Sequence, residues 1–181
     1  VGMHPEEKVP VVVLAFTRLH AGGKFNKREG NTAYAFSGGL HGVGVAVTNA
    51  LSTRVEVEVR REGKVHAVTF SEGGEKISAL VVTGDCGRQS GTRVRVWPDP
   101  KYFDSPKINL AQLEHLLRSK AVLMPNVTVE LDIEGQEKKI WCYQNGMADY
   151  LNEMMVGTPV APIFVGEKHV ESANGFAVGE G

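Results

Sequence analysis

The sequence predicts a two-layer α+β sandwich, with a mixed but mostly antiparallel sheet that carries its helices on one face. Residues 54–60 alternate strictly between a charged residue and valine, which is typical of a strand with one solvated and one buried face. Residues 61–64 form a polar turn, after which residues 65–70 return as a second strand. Further strand-like segments are interleaved with segments of helical period, which favours a sheet layer covered by a helix layer.

The other elements follow from local patterns. Residues 11–20 are apolar with a helical period and run into a glycine pair, which predicts a first helix that stops there. Residues 43–51 predict a second helix, and an apolar stripe of leucines at 110, 113, 116 and 117 predicts a third that ends near Val122. Additional strands are predicted at residues 79–83, 92–97, 127–133 and 139–143.

The predicted domain organisation is one domain at residues 1–156 and the start of another at 157–181. The sequence Gly-Thr-Pro at 157–159 breaks the preceding pattern, and residues 163–165 form a short apolar segment. These features predict a linker followed by the first strand of the second domain.

The composition limits the classes of function. The chain has 181 residues, with 20 Lys and Arg against 21 Asp and Glu, so it is not basic enough for bulk DNA binding except through a local patch. It has no apolar run that could span a bilayer and no signal-peptide pattern, which predicts a cytoplasmic protein without a membrane partner. Its two cysteines lack a C-x-x-C spacing, which disfavours a disulfide or a zinc site, and they are interpreted as buried or neutral thiols.

The most informative segment is a glycine-rich stretch, in which four glycines occur within positions 38–44 directly before an apolar helix start. Glycine allows several N–H groups to point into one concavity, and a helix N-terminus adds unpaired donors, so this pattern favours a di- or triphosphate. The Walker loop is excluded because no lysine follows the glycines, and the dinucleotide fingerprint Gly-x-Gly-x-x-Gly/Ala also fails. The structural alternative is a glycine-rich turn that caps a buried helix.

Several motifs together resemble the ATPase domain of type IIA bacterial topoisomerases, that is, the B subunits of DNA gyrase and topoisomerase IV. They are Arg-Leu-His-Ala-Gly-Gly-Lys-Phe at 18–25, Ser-Gly-Gly-Leu-His-Gly-Val-Gly at 37–44, Val-Thr-Asn-Ala-Leu-Ser at 47–52, Gly-Thr-Arg-Val-Arg-Val-Trp-Pro at 91–98 and Tyr-Gln-Asn-Gly at 143–146. Residues 4–10 and 97–106 are more similar to the topoisomerase IV branch than to the gyrase branch. The resemblance implies the GHKL (Bergerat) version of the α+β sandwich.

The resemblance also implies which residues bind ATP. Seven consecutive positions would wrap the triphosphate: Gly39, Leu40, His41, Gly42, Val43, Gly44 and Val45. Lys24 would reach a phosphate as a mobile point charge.

Four other positions complete the implied site. Thr92 would hydrogen-bond the adenine through water, and Val94 would supply an apolar floor. Tyr34 corresponds to the tyrosine that contacts the nucleotide shortly before Ser-Gly-Gly, and Arg61 to the rim arginine to which aminocoumarin-type inhibitors bind.

The implied catalytic groups lie outside this sequence. In the family a general-base Glu and a Mg²⁺-binding Asn are on an upstream helix, and an adenine-reading Asp belongs to Asp-x-Gly-Arg-Gly-(Ile/Met)-Pro, whereas this chain begins just after that Pro, at Val1. We therefore expect no catalytic residue and no metal ligand here, and no turnover from these residues alone. Glu6 and Glu7 belong to a different segment from the base.

The implied function is that of an ATP-hydrolysing DNA topoisomerase, in which ATP binding and hydrolysis drive DNA strand passage and decatenation. The cofactors would be ATP and Mg²⁺. The partners would be the A subunit of topoisomerase IV in an A2B2 heterotetramer, DNA through the assembled enzyme, a second copy of the B subunit when ATP binds, and aminocoumarin-type inhibitors.

Three alternatives stay open. The first is the B subunit of gyrase. The second is another ATPase of the same superfamily, such as a MutL-type repair protein, a heat-shock chaperone or a sensor histidine kinase. His41 and the strand end at Trp97-Pro98 disfavour all three. The third is a non-enzymatic glycine-rich interaction module, which nucleotide binding by the intact protein would exclude.

Overall fold

The computed structural model describes residues 1–21, 41–105, 107–157, 166, 168–171 and 177–180. The chain forms two compact units, Val1–Pro106 and Lys107–Gly181. Each unit has its own cluster of buried side chains. The domain boundary predicted at residue 157 stays a prediction.

The first unit is built on a five-stranded sheet, with antiparallel pairing throughout the described residues. Its strands are β1 (Ser52–Arg61), β2 (Lys64–Ser71), β3 (Lys76–Ile77), β4 (Val81–Asp85) and β5 (Gly91–Pro98). β1 lies between β2 and β5, while β3 and β4 pair with successive parts of β2. Two helices belong to this unit, α1 (Val11–Thr17) and α2 (Gly44–Ala50). The predicted α+β class is confirmed.

The core of the first unit lies on the apolar face of the central strands. Val55 and Val57 of β1 are each 1% exposed. Their partners on β2 are Phe70 and Val68, which are equally buried. α1 covers this face, and the ring of Phe16 stacks on that of Phe70 with the centroids 5.4 Å apart. The valines of the predicted alternation therefore form the buried face of β1.

The opposite face of β1 and β5 carries a charge ladder, in which two glutamates each contact two arginines. Glu56 pairs with Arg54 and Arg95 at 2.5 and 3.3 Å, and Glu58 pairs with Arg60 and Arg93 at 3.8 and 3.9 Å. The side chains of the ladder are partly or largely exposed. The predicted solvated face is thus confirmed.

The turn between β1 and β2 consists of Glu62 and Gly63, with φ of 53° and 77°. Two successive residues with positive φ are typical of the two-residue hairpin turn whose twist matches that of the strands. The hairpin predicted at residues 54–70 is confirmed, with strands slightly longer than the pattern indicated.

The second unit contains the remaining elements. They are α3 (Leu110–Leu123), β6 (Val129–Leu131), β7 (Lys139–Trp141), α4 (Met147–Met154), β8 (Lys168–Glu171) and β9 (Ala177–Glu180). Asn109 caps α3, since its side-chain oxygen accepts a hydrogen bond from the amide of Gln112 at 3.2 Å. Ala121, Val122 and Tyr143 form the buried cluster. No helix in the described ranges is long and apolar enough to cross a membrane.

Some elements differ from the predicted ones. α1 ends at Thr17 rather than at residue 20, because the backbone of Arg18 is extended. The guanidinium of Arg18 binds both carboxylate oxygens of Glu7, at 2.5 and 2.8 Å. The elements that were not predicted are β3, α4, β8 and β9, and the strand predicted at residues 163–165 lies outside the described residues.

Candidate functional site

The described part of the glycine-rich stretch is a turn that leads directly into α2. Gly42 has a φ of 62°, a left-handed conformation that favours glycine. Val43 is the N-cap of α2 and Gly44 is its first residue. The sequence predicts the helix here correctly, and the structure places His41, Gly42, Val43, Gly44 and Val45 together at its start.

Four residues of the predicted site lie outside the described residues. They are Lys24, Tyr34, Gly39 and Leu40. Their assignment to the nucleotide stays a prediction.

Among the described residues, the space beside Gly44 is open. A Cβ built at this position would have no other described atom within 4 Å, apart from its own chain neighbours and helix backbone. The first N–H groups of a helix have no acceptor within that helix, so the amides at the start of α2 are available to an external acceptor. Open space beside such donors suits a ligand with anionic oxygens.

The residue that joins this turn to the end of α1 is His20. Its amide donates a hydrogen bond to the carbonyl of Gly42 at 3.2 Å, and its ring nitrogen Nδ1 lies 2.7 Å from the carbonyl oxygen of His41. Because a carbonyl oxygen only accepts, Nδ1 is the donor in this second bond. The glycine turn is therefore held to the chain segment that follows α1.

The other anchor of α2 is Asn49, which is 2% exposed. Its side-chain amide donates to the carbonyl of Phe16 at 3.0 Å and so fastens α2 to α1. Gly74 packs against the same side chain, since a Cβ at this position would lie 2.5 Å from Nδ2 of Asn49. A buried, bonded amide of this kind fixes the position of α2 and hence that of the turn before it.

Thr92 and Val94 lie on β5, on the face of the sheet that carries the core. They are the register partners of Val59 and Val57 of β1. Partners in an antiparallel pair share a face of the sheet. On this face Val57 is 1% exposed and therefore covered, whereas its partner Val94 is 46% exposed. Val94 is therefore an uncovered apolar position beside a polar one, which suits a flat, partly apolar ligand group.

Arg61 ends β1 and borders a cavity of about 230 Å³, which Val1, Gly2, Glu62 and His66 also line. Its Nε lies 3.0 Å from the carboxylate of Glu62, and both side chains are largely exposed. The start of the chain and the β1–β2 turn thus meet at one cavity. The assignment of Arg61 to an inhibitor rim stays a prediction.

A larger cavity, of about 480 Å³, lies at the other end of α2. Three carboxylates line it, from Glu72, Glu75 and Asp99, together with Lys101, whose ammonium lies 3.0 Å from the Asp99 carboxylate. A hydrogen bond from the Lys101 amide holds the pKa of Asp99 below its ordinary value, so this carboxylate stays ionised. Because the carboxylates outnumber the lysine, the lining disfavours phosphate, which makes this cavity a poor candidate for a nucleotide site.

The described residues contain no group of three or more His, Cys, Asp or Glu that could hold a metal ion. Glu7 is bound in bidentate fashion by Arg18, which makes it a poor general base because its charge is neutralised. The sequence patterns identify the glycine turn and β5 but assign no role to His20 or Asn49. The only sequence feature that could have pointed to these two residues is that His20 lies within the motif at 18–25 and Asn49 within the motif at 47–52.

No protein-family model matches the chain, but individual curated proteins do. The chain is 52% identical over 165 residues to the B subunit of DNA topoisomerase 4 from Salmonella typhimurium, an alignment that covers 90% of this chain and 25% of that protein. It is 41% identical over 159 residues to the B subunit of DNA gyrase from Thermotoga maritima, covering 87% of this chain and 24% of that protein. The chain spans about a quarter of the length of these relatives.

Two solved structures are similar in fold. One is the topoisomerase IV ATP-binding domain of Francisella tularensis in complex with a small-molecule inhibitor, with a TM-score of 0.68 and 37% identity, covering 84% of this chain and 39% of that one. The other is the 43K ATPase domain of Thermus thermophilus gyrase B in complex with an aminocoumarin, with a TM-score of 0.69 and 26% identity, covering 99% of this chain and 44% of that one. Sequence and fold therefore agree on the same set of proteins.

Proposed function

Since this chain belongs to the family of type IIA topoisomerase B subunits, we propose that it forms part of the ATP-binding domain of such a protein. The observation that carries the proposal is the glycine turn before α2, with Gly42 in a left-handed conformation and open space above Gly44. Main-chain donors beside glycines can approach phosphate oxygens without an intervening Cβ. In this proposal residues 39–45 wrap the triphosphate, and Lys24 neutralises part of its charge.

The adenine would lie against β5. The uncovered side chain of Val94 supports an apolar floor, and the exposed Thr92 has a hydroxyl that can bond the base through water. Tyr34 would add a further nucleotide contact. Aminocoumarin-type inhibitors would use the same pocket and reach its rim at Arg61, beside the cavity at the start of the chain.

Mg²⁺ is proposed as the metal that accompanies ATP, where it would neutralise phosphate charge. The part of the chain that the structure describes contains no group of three or more His, Cys, Asp or Glu that could hold it. By the resemblance to the family, its asparagine ligand and the general base would belong to the segment that precedes Val1. Within this chain the contribution to the reaction is to bind and orient the phosphates. We accordingly propose that residues 1–181 alone do not hydrolyse ATP.

The complete protein would act as an ATP-driven gate. Binding of ATP would close two B subunits into a dimer that surrounds a DNA segment, and hydrolysis would reset it. We propose that the protein works with the A subunit of topoisomerase IV in an A2B2 assembly that passes and decatenates DNA in the bacterial cytoplasm, at the nucleoid. Identity is higher to the topoisomerase 4 relative from Salmonella than to the gyrase relative from Thermotoga, 52% against 41%, which favours topoisomerase IV over the gyrase alternative.

The test of nucleotide binding is Gly44→Val in the complete protein, with Gly84→Val as the matched control. A Cβ at either glycine meets no neighbouring atom of the described residues within 4 Å, and neither glycine has a positive φ, so both variants should fold. We expect Gly44→Val to lose at least about tenfold in affinity for a non-hydrolysable ATP analogue by calorimetry, because its side chain would displace a phosphate from a charge-assisted hydrogen bond. Gly84→Val, on β4, should bind like the unchanged protein. Equal affinities of the two folded variants would refute the phosphate assignment.

A further inference from the structure

His20 is separated from the glycine turn by about twenty residues of sequence but is bound to it at two successive peptide groups. The His20 amide donates to the Gly42 carbonyl at 3.2 Å, and Nδ1 of its ring donates to the His41 carbonyl at 2.7 Å. His20 itself has a φ of 62°, an uncommon conformation for a residue with a side chain. Because this conformation costs energy and His20 contacts the glycine turn, its retention suggests a functional role for His20 in addition to packing.

These two bonds determine where the next two amides point. In a trans peptide the carbonyl of one residue and the N–H of the following residue lie in one plane and point in opposite directions, and the described residues contain no cis peptide. The carbonyls of His41 and Gly42 both point at His20. The N–H groups of Gly42 and Val43 therefore both point away from it.

We propose that His20 is a positioning residue for the phosphate-binding turn, which holds the amides of Gly42 and Val43 as two parallel donors for the oxygens of a nucleotide phosphate. The inference rests on the proposed function for the identity of the ligand, whereas the clamp itself rests only on the contacts of His20. Without the ring, the His41–Gly42 peptide can rotate, since glycine at position 42 accepts many backbone conformations. A rotated peptide would present a carbonyl oxygen to the phosphate in place of an N–H donor.

The test uses three substitutions of His20 in the complete protein. His20→Ala removes the ring donor. His20→Gly also removes it but fits the positive φ without strain, and this relief offsets the entropy that glycine loses on folding, so the melting temperature should stay near that of the unchanged protein. His20→Asn keeps a side-chain N–H donor and tolerates the left-handed conformation. His115→Ala, at an exposed histidine of α3, is the control for a lost surface histidine.

We expect His20→Ala and His20→Gly to bind a non-hydrolysable ATP analogue about tenfold more weakly, the effect of weakening one hydrogen bond to a charged group. Affinity for an inhibitor that occupies only the adenine pocket should stay within twofold. His20→Asn should recover most of the loss. A purely structural role predicts instead that affinity follows the melting temperature, so weak binding by a fully stable His20→Gly separates the two explanations.

The second readout needs no nucleotide. Hydrogen exchange or amide chemical shifts of Gly42 and Val43, measured by NMR on the 181-residue chain, should change in His20→Ala and return towards the original values in His20→Asn. Unchanged amides, or ATP-analogue affinities within twofold across all three variants, would overturn the inference. If the unsubstituted protein binds no ATP analogue, the proposed function fails and the positioning role fails with it, while changed amides would still establish the clamp.

Discussion

Replacing Tyr143 with phenylalanine removes a single oxygen atom from the buried cluster of the second unit. Tyr143 is 7% exposed, and its hydroxyl joins α3 to α4. It accepts a hydrogen bond from Nε of Arg118 at 3.0 Å and donates one to the Glu153 carboxylate at 2.7 Å. Phenylalanine keeps the ring and its packing, so the change isolates these two bonds.

The expected loss of unfolding free energy is about 1–2 kcal/mol. A hydrogen bond to a charged group contributes roughly 1.5–3 kcal/mol when it is well shielded. Here the side chain of Glu153 is 53% exposed, and Arg118 keeps its direct contact with Glu153 at 2.8 Å. Water and the remaining ion pair replace part of what is lost, which places the effect at the lower end of the range.

Urea unfolding at pH 7, followed by circular dichroism, measures this loss. The matched control is Tyr150→Phe, because Tyr150 packs edge-on against Tyr143 in the same cluster and its hydroxyl makes no hydrogen bond to another described residue. We expect the control to change the free energy by less than about 0.5 kcal/mol, as for a substitution that removes no specific contact.

The same pair also has a predicted pH dependence. The Tyr143 hydroxyl, and after it Arg118, hold the pKa of Glu153 below its ordinary value of 4.5. A depressed carboxylate pKa stabilises the fold fully above the unfolded value and loses that contribution as the pH falls through the folded value. The difference between the original protein and Tyr143→Phe should therefore shrink below about pH 4.5. A loss under 0.5 kcal/mol at pH 7, or a difference that is constant into acid, would refute the reasoning.

Two other predictions concern a glycine of the fold and a lysine of the site. Gly74→Ala should cost about 2–5 kcal/mol in urea unfolding. Its φ of +89° accounts for about 1–2 kcal/mol of this, and the new Cβ, 2.5 Å from Asn49 Nδ2, adds about 1–3 kcal/mol of overpacking. Gly87→Ala, with a φ of +56° and no described atom within 4 Å of the new Cβ, should cost only the roughly 1–2 kcal/mol of the left-handed conformation. Equal costs would contradict the packing argument. Lys24→Ala in the complete protein should weaken an ATP analogue far more than an inhibitor confined to the adenine pocket, since only the first carries a triphosphate. Calorimetric titrations with both ligands check this, and parallel losses would speak against a phosphate contact.

The fold of the first unit follows from patterns that act over short distances. The alternation in residues 54–60 and the Glu62-Gly63 turn predict β1, β2 and their pairing, because side-chain period and turn geometry both act within one hairpin. The end of α1 is not predicted because Arg18 leaves the helix for a contact with Glu7, eleven residues earlier. Such a contact leaves no trace in local periodicity.

α4, in contrast, could have been predicted from the sequence, because its helical periodicity is local. Apolar residues recur at the spacing of one helix face, at positions 147, 150, 151 and 154. Asp149, in the first turn, accepts hydrogen bonds from the amide and the side chain of Asn145 at 2.8 and 2.9 Å. The motif Tyr-Gln-Asn-Gly at 143–146 therefore ends in the capping structure of a helix.

In the candidate site the glycines could be identified from sequence, but the residue that orients them could not. Gly42 and Gly44 stand in a pattern whose chemistry is local. His20 binds the main-chain carbonyls of residues 41 and 42. Every residue has such a carbonyl, so the residue types at these two positions give no indication that His20 is their partner. Only the structure brings the two segments together.

The charge ladder on the outer face of the sheet also controls how β1 and β5 align during folding. A slip of one residue would turn the valines of β1 to solvent, which the core forbids. A slip of two residues keeps the valines inside, so hydrophobicity alone does not exclude it. In the native register Glu56 faces Arg95 and Glu58 faces Arg93.

Either two-residue slip brings like charges together. Moved one way, Arg54 would lie opposite Arg95, and moved the other way, Arg60 would lie opposite Arg93. Directly opposed like charges destabilise a strand pair. Each slip also keeps only one of the two cross-strand Glu–Arg pairs of the native register. Arg54 and Arg60 therefore act against the nearest misaligned alternatives, and replacing both by glutamine should leave a protein that folds to the same structure but forms more misregistered species during folding.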